Sequence, residues 1–406
     1  MERNSKIFKA RWVFPVSSPP IENGWVELDG NRITAVGNQP RPKAFDLGNV
    51  AIIPGLVNAH AHLEFSDLQQ PLQPTEPFTD WINSVVAHRQ LPGRNTGDII
   101  TGGINECHQS GTALVGEIAT SEYDYSSDAD ACNLALVVFR ELIGFRAEQI
   151  EQQLAIAKRH LSDNSQPDSL IQAGLSPHAP YSVHPELFQK LVGLAEESKV
   201  PLAMHLAETK PERQFLEKST GPFVEMLKQF GVWEASALSG GKTFSDYLKP
   251  LADLERALVI HGNYLTQDEW SQLADRENIT VVYCPRTHAY FQHDPHPWRG
   301  MLDAGVSVAL GTDGRSSNPD LSLWRELQFL CSQFPDFDQI QLLELGTIRG
   351  AKALGFESEL GTLCVGKQAQ LVTVSLLNSD SSNPYDLLFA TGNQINSVSQ
   401  RVKRSP

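Results

Sequence analysis

Residues 54–65 read PGLVNAHAHLEF, an apolar run in which His60 and His62 are separated by a single residue. Alternate side chains of a β-strand point to the same face, so a strand here would direct both imidazoles the same way. The pair could supply two ligands to a metal ion, although two structural histidines would give the same spacing. The choice between these interpretations depends on the rest of the chain.

Seven more short apolar segments follow, and helix-patterned stretches separate nearly all of the eight. In chain order the eight segments are AIIPGLVNAH, TALVGEIAT, LALVVFREL, LIQAGLSPH, PLAMHLAE, ALVIHGN, ITVVYC and VSVALGTD. Strands that alternate with helices pair in parallel, and eight such units within roughly 250–300 residues are typical of a closed (β/α)8 barrel rather than an open doubly wound sheet. We therefore predict an α/β protein built on a TIM-like barrel.

The two ends of the chain have a different pattern. Short runs near the N-terminus, separated by proline, glycine and asparagine, read IFKARWVF, GWVELDG and RITAVG, and GTLCVGKQAQLVTVSL near the C-terminus is similar. Such runs are typical of small antiparallel strands with tight turns. We predict that residues 1–52 and 355–406 form one discontinuous β-sandwich domain, and that residues 53–354 form the barrel domain.

Composition excludes several classes of protein. The 406 residues are 41% hydrophobic and 20% charged, with 48 acidic against 33 basic residues and a net charge of −15, so we expect no nucleic-acid partner. The five cysteines include no CxxC pair, which indicates neither a disulfide framework nor a thiolate zinc site. Neither a signal peptide nor a membrane span is evident, so we expect a cytoplasmic protein without a membrane partner. The sequence leaves open whether the protein forms a homo-oligomer.

Polar residues follow the apolar segments at the point where a barrel strand would end. His205, with Glu208 three residues later, ends the fifth segment, and His261 ends the sixth. Asp313 ends the eighth, inside GTDG. Active sites of such barrels lie at the C-terminal ends of the strands. Imidazoles together with a carboxylate suit a borderline first-row divalent ion, so we expect zinc, or alternatively iron.

Six motifs, in this order, make the chain resemble the amidohydrolase superfamily over nearly its full length. They are PGLVNAHAHLEFS, LSPHAPYSV, MHLAETKPE, VIHGNYL, ALGTDGRSSNPDLSLWRE and GTLCVGKQAQLV. The resemblance is to the aminohydrolase branch, which includes deaminases of adenosylhomocysteine, guanine and cytosine and also triazine hydrolases. It implies a metal-dependent hydrolase with a barrel fold.

Roles for individual residues follow from the resemblance. It implies four metal ligands, namely His60, His62, His205 and Asp313. His261 would lie beside the catalytic water, Asp313 would also accept a proton from it, and Glu208 would be the proton shuttle. Binuclear relatives bridge two ions with a lysine from the fourth strand. The segment LIQAGLSPHAP contains no lysine, so we expect one ion.

Candidates for substrate binding each have a structural alternative. His178 resembles a substrate-contacting position of relatives but could instead cap a proline-rich turn. Trp81, in FTDWINSVVAHR, could cover a flat ring or simply pack within a helix. Arg286 and His288 lie in VVYCPRTHAYF, where many relatives have Asn-Pro-x-Ser-Asn. They could recognise a carboxylate, phosphate or ribose, or Arg286 could form an internal ion pair.

These observations favour hydrolytic deamination of an aminated heteroaromatic ring, in a purine or nucleoside-like metabolite, with release of ammonia. Aminodeoxyfutalosine, adenosine derivatives and guanine are candidate substrates. One alternative is hydrolysis of a C–Cl, guanidino or amide bond, because an activated water can attack several carbon electrophiles. Another is a non-catalytic scaffold, although none of the expected metal ligands is missing.

Overall fold

A computed structural model of the protein describes residues 5–163, 170–377 and 381–398. Within them the strands are, in chain order, β1 (Ser5–Lys9), β2 (Trp12–Val13), β3 (Ile21–Glu22), β4 (Trp25–Asp29), β5 (Arg32–Gly37), β6 (Phe45–Asp46), β7 (Val50–Pro54), β8 (Leu56–His62), β9 (Thr112–Ala119), β10 (Ala135–Leu142), β11 (Ile171–Pro177), β12 (Leu202–Leu206), β13 (Ala257–His261), β14 (Ile279–Tyr283), β15 (Ser307–Leu310), β16 (Asp313–Gly314), β17 (Leu371–Ser375) and β18 (Ile395–Ser397).

The helices of the same residues are mostly short. They are α1 (Phe78–Arg89), α2 (Thr96–Gln109), α3 (Ser126–Cys132), α4 (Ile150–Asp163), α5 (Pro185–Ser198), α6 (Lys210–Lys218), α7 (Pro222–Gln229), α8 (Ser245–Ala252), α9 (Gln267–Trp270), α10 (Pro285–Tyr290), α11 (Trp298–Asp303), α12 (Leu323–Gln333), α13 (Gln339–Leu345), α14 (Ile348–Leu354) and α15 (Pro384–Leu388). Single 3-10 turns occur at Leu63–Phe65, Ala147–Gln149, Ala235–Leu238 and Ser271–Leu273. No helix of the described residues is both long enough and apolar enough to cross a membrane.

The largest sheet is parallel and runs in the order β15-β14-β13-β12-β11-β10-β9-β8-β16. Its two outermost members, β15 and β16, are consecutive in the chain, with only Gly311 and Thr312 between them. Because β16 pairs with β8, placing Asp313 opposite Ala61, this interrupted eighth strand closes the sheet. β12, β13 and β14 are buried along their whole length, as strands of a barrel interior are. The predicted TIM-like barrel is confirmed.

Helix α5 illustrates how the sequence covers these strands. It begins with Pro185 after His184, whose side chain accepts a hydrogen bond from the Glu186 N–H and so caps the first turn. Leu187, Phe188, Leu191 and Ala195 are its buried residues, and their spacing places them along one face of the helix. The helix contacts β11, the strand that precedes it.

Strands from the two ends of the chain form two separate sheets, as predicted. One has the order β5-β4-β1-β6, and the other, β18-β17-β7-β2-β3, combines N-terminal and C-terminal strands. A shared core fills the space between the two sheets. It includes Phe8, Val26 and Ile33 from the first sheet and Val13, Ile52 and Leu371 from the second.

The segment AIIPGLVNAH, predicted as one strand, is divided between two sheets. Pro54 ends β7 opposite Leu371 of β17, whereas the Leu56 N–H at the start of β8 donates to the Gly111 carbonyl. The residue between them is Gly55, where a Cβ would lie 2.4 Å from the Ala113 Cβ. Only glycine allows so close an approach of another chain segment.

The chain divides into two compact units. One contains the residues up to Asn58, Asn105–Leu114 and those from Ser322 onward, and the other contains Ala59–Ile104 and Val115–Leu321. The predicted boundary between residues 52 and 53 lies inside β7. The two predicted domain limits, after residues 52 and 354, stay a proposal. All the residues of the candidate site described below belong to the second unit.

Candidate metal centre and its pocket

Three of the four predicted metal ligands come from the place where the barrel closes. His60 and His62 are at the C-terminal end of β8, and Asp313 begins β16 beside them. The Nε2 atoms of His60 and His62 lie 3.5 and 3.6 Å from one oxygen, Asp313 Oδ1. All three side chains are buried. The alternating strand geometry expected from the HxH spacing therefore directs both imidazoles to one point.

His205, near the end of β12, completes the cluster. Its Nε2 lies 3.3 Å from His62 Nε2, and its Nδ1 lies 3.1 Å from the His178 carbonyl oxygen. The carbonyl can only accept, so Nδ1 donates and leaves the Nε2 lone pair directed at the cluster. Burial lowers the pKa of His205 well below its usual value, which keeps the imidazole neutral, as a metal ligand must be.

The arrangement fits a single divalent ion. The ligand atoms of His60, His62 and Asp313 all lie within 4.8 Å of one another, and so do those of His60, His205 and His261. Two nitrogens held about 2.0–2.1 Å from one tetrahedral ion would lie roughly 3.3 Å apart, which is the observed spacing of His62 and His205. Neutral imidazoles with one carboxylate are a donor set that zinc accepts readily.

His261 and Glu208 lie together on one side of the cluster. His261 Nε2 is 3.5 Å from Glu208 Oε1, and both side chains are buried. Burial, together with the charges of Asp313 and Glu212, raises the pKa of Glu208 well above its usual value. A carboxyl group whose pKa is raised is better suited to act as an acid near neutral pH.

Three non-glycine residues at strand ends around this site have a left-handed backbone. They are Ala207, His261 and Asp313, with φ of 55°, 70° and 59°. Such conformations cost about 1–3 kcal/mol each and persist where neighbours enforce them. The His261 carbonyl accepts a 2.8 Å bond from His296, and Asp313 Oδ2 accepts one of 2.8 Å from Ser317. The first bond holds the backbone at His261, and the second holds the carboxylate of Asp313 in its orientation.

Glu212 holds the turn that carries Glu208. Its Oε1 accepts from the Ala207 N–H at 3.1 Å and its Oε2 accepts from the Glu208 N–H at 2.9 Å. Asn263 adds a 3.0 Å hydrogen bond to the Glu208 carbonyl. Glu212 was not among the residues selected from the sequence, although it lies in the motif MHLAETKPE, four residues after Glu208.

A cavity with about 1020 Å³ of empty space, its open mouth included, lies against the cluster. His62, His205, Glu208, His261 and Asp313 line its inner end. Its outer walls are largely apolar, with Trp81, Phe145, Met226, Leu227 and Phe230. A pocket with apolar walls and a polar inner end suits a flat organic ligand with one reactive edge.

The predicted substrate-binding residues divide into two pairs. His178 and Trp81 line the cavity, and Trp81 Nε1 donates a 3.2 Å bond to the Ser316 carbonyl. Arg286 and His288 are not among the described residues that line it. Arg286 pairs with both carboxylate oxygens of Asp320, at 2.7 and 3.2 Å, which is the internal ion pair left open by the sequence. Substrate contacts of Arg286 and His288 stay a prediction.

Glu141 is a buried residue of the cavity that the sequence analysis missed. It lies near the end of β10, with its side chain 1% exposed. Its Oε2 accepts a 2.7 Å bond from Thr120, and Arg89 lies 3.6 Å away. Burial opposes ionisation, but His178 and Arg89 outweigh it and lower the pKa of Glu141 to about 2. The signal was present, because other acidic residues at strand ends were selected.

Comparisons with known proteins agree with this geometry. The family model described as "Amidohydrolase family" matches residues 51–400. The chain is 28% identical to aminodeoxyfutalosine deaminase of Nitratiruptor over 341 residues, 81% of this chain and 80% of that one. It is 26% identical to 5-methylthioadenosine/S-adenosylhomocysteine deaminase of Carboxydothermus hydrogenoformans over 384 residues, 90% and 82% of the two chains. The crystal structure of Helicobacter pylori aminofutalosine deaminase with methylthio-coformycin matches with a TM-score of 0.76 and 25% identity, over 94% of this chain and 95% of that one.

Proposed function

Because the chain belongs to the amidohydrolase family, we propose that it is a mononuclear metal-dependent aminohydrolase. It deaminates an aminated heteroaromatic ring in a purine or nucleoside-like metabolite and releases ammonia. The observation that carries this proposal is the buried carboxyl group of Glu208, with its raised pKa, beside the cluster of His60, His62, His205 and Asp313. That pairing provides an acid for a ring nitrogen next to a site for activating water.

The metal ligands we propose are His60, His62, His205 and Asp313. Members of the family use a divalent metal ion, and the donor set here favours Zn²⁺, with Fe²⁺ as the alternative. When bound, such an ion supplies Lewis-acid chemistry that makes water a nucleophile near neutral pH. The missing lysine on β11 favours a single ion.

Glu208 and Asp313 carry out different proton transfers of the proposed reaction. Glu208 donates its proton to the ring nitrogen next to the carbon that carries the amine, which makes that carbon more electrophilic. Asp313, held ionised by His60 and His62 against the effect of burial, accepts a proton from the attacking water and returns it to the leaving amine. His261 hydrogen-bonds the attacking oxygen. As the amine leaves as ammonia, the added hydroxyl loses its remaining proton to Glu208 and becomes the carbonyl of the product.

The cavity walls support a purine-like substrate. Trp81 and Phe145 offer aromatic surface to a flat ring, and His178 lies at the polar end where the ring edge would be. The two curated relatives are named for substrates built on adenosine or a related nucleoside. The nucleoside class is therefore the first to test.

The deciding experiment measures ammonia release by the metal-loaded protein. The panel holds adenosine, 5-methylthioadenosine, S-adenosylhomocysteine, aminodeoxyfutalosine and guanine, with metal content determined on the same samples. We expect ammonia from at least one nucleoside and about one ion per chain. If none of these compounds releases ammonia, the alternative hydrolysis of a C–Cl, guanidino or amide bond is tested next with substrates that contain those bonds. Absence of bound metal would contradict the proposal outright.

A further inference from the structure

Glu141 and His178 face each other across the polar end of the cavity. Glu141 Oε1 is buried and has no hydrogen-bond partner among the described residues. It lies 3.8 Å from His178 Nε2, which is too long for a hydrogen bond. Both residues line the cavity. A buried carboxylate oxygen that lacks a donor is costly, so a donor from a ligand would be stabilising here.

The hydrogen bonds around His178 indicate which of its nitrogens carries the proton. His178 Nδ1 lies 2.6 Å from Ser182 Oγ, and that hydroxyl donates its one hydrogen to the Ala179 carbonyl at 3.1 Å. On the basis of the Ser182 to Ala179 bond we assign the tautomer in which Nδ1 donates to Ser182 Oγ and Nε2 of the neutral ring is an acceptor. Two acceptors, Glu141 Oε1 and His178 Nε2, thus point at the same space.

We propose that Glu141 Oε1 and His178 Nε2 together bind a substrate group with two hydrogen-bond donors, the vicinal hydroxyls of a ribose on the deaminated ring. The inference rests on the proposed function, which places the reacting edge of the ring at Glu208. A sugar is then the part of a nucleoside that offers two adjacent donors. A second amino group on the ring offers the same chemistry and is distinguished below.

A second metal ion is the competing occupant of this place. The ligand atoms of Glu141, His178 and His205 lie within 4.8 Å of one another. His205 is already committed, however, because its Nδ1 donates to the His178 carbonyl and its Nε2 lies 3.3 Å from His62 Nε2. Only two ligands would remain for an ion, which is fewer than a stable site uses.

Calorimetric titration tests the site formed by Glu141 and His178 with three ligands that have no amino group to lose, and with guanine, whose turnover is checked first by ammonia release. The metal-loaded protein is titrated with inosine, 2′,3′-dideoxyinosine, hypoxanthine and guanine, and Glu141→Gln and His178→Phe are titrated in parallel. We expect each variant to weaken inosine binding about 10-fold or more, as loss of a hydrogen bond to a charged or buried acceptor does. Binding of the dideoxynucleoside and of hypoxanthine should change less than about twofold.

Glu64→Gln is the matched control, because its buried carboxylate accepts a 2.6 Å hydrogen bond from Arg89, which also lies 3.6 Å from Glu141. It should affect all ligands alike. Equal losses for every ligand in Glu141→Gln would overturn the proposal, as would selective loss of guanine or no inosine binding by the wild type. The proposal would also be overturned if the wild type bound two metal ions per chain and Glu141→Gln bound only one. Failure of the proposed function would instead appear as absent ammonia release while this binding pattern persists.

Discussion

Glu208 lies beside His261, is not one of the four proposed ligands, and has a carboxyl group whose pKa is raised by burial. Replacing it by Gln keeps the shape but removes the acidic proton. We expect Glu208→Gln to lower kcat by about 10²–10⁴-fold, the usual contribution of a positioned acid. Metal content should not change. Steady-state kinetics with metal analysis measure both, and a variant with wild-type kcat would exclude the shuttle role.

Single residues also mark the limit of what the sequence could predict. The four proposed ligands and Glu208 were selected because each lies at a strand end, and the barrel does bring them together. Arg286 was ambiguous because its partner, Asp320, is 34 residues away and no local pattern connects them. Glu141 was missed although it too lies near a strand end. It and Arg140 are adjacent, and only strand register decides which of them points into the cavity.

At the scale of elements, β12 and α6 are joined by the turn that carries Glu208, and Glu212 holds this turn through two backbone N–H groups. We expect Glu212→Gln to lower stability by about 1–3 kcal/mol, because its amide nitrogen cannot accept from an N–H. Misplacement of Glu208 should lower kcat about 10–100-fold. Thermal melting and kinetics measure these effects, with metal content unchanged.

Glu269→Gln provides the control for that variant. Glu269 is also buried and accepts from the Thr266 N–H at 2.8 Å, but it belongs to the cap of α9 rather than to the catalytic turn. Its loss should lower stability while leaving kcat within about twofold of the wild type. If Glu212→Gln behaves in the same way, Glu212 has only a structural role.

Glu212 should also give stability a characteristic pH dependence. Burial raises its pKa from 4.5 to about 8, although backbone N–H donors favour the ionised form. Between these values the folded protein holds a proton that the unfolded chain releases, so stability falls as pH rises, by up to about 1.4 kcal/mol per pH unit. Melting curves from pH 5 to 8 should show a smaller decline for Glu212→Gln. Parallel profiles would contradict this.

The order of elements was predictable because apolar strand segments and helical stretches alternate through most of the chain. The break between β7 and β8 at Pro54 and Gly55 was not predictable. An apolar run does not reveal that its first half pairs with β17 and that its second half begins with a hydrogen bond to Gly111, just before β9. Side chains of both halves are buried, so hydrophobicity is continuous across the break. Only long-range pairing distinguishes the two strands.

At the scale of the whole molecule, the sequence predicted a barrel and two terminal sheets, and both are present. The sequence pattern does not reveal the limits of the two compact units. The segment Asn105–Leu114, for example, is grouped with the two ends of the chain although it lies far from both in the sequence. The domain limits, a cytoplasmic location and a homo-oligomer stay predictions. The domain limits and the oligomeric state depend on contacts that no local sequence pattern records.

Metal removal should affect the stability of the whole molecule as well as its activity. An ion that binds the folded state alone stabilises it by about 2.7 kcal/mol at a free concentration 100 times its Kd. We therefore expect a chelator to lower the melting temperature and abolish ammonia release, and added Zn²⁺ or Fe²⁺ to restore both better than Mg²⁺. In Asp313→Asn, which lacks the carboxylate of the cluster, the chelator should change the melting temperature much less. An equal shift in both proteins would mean that the stabilising ion binds elsewhere.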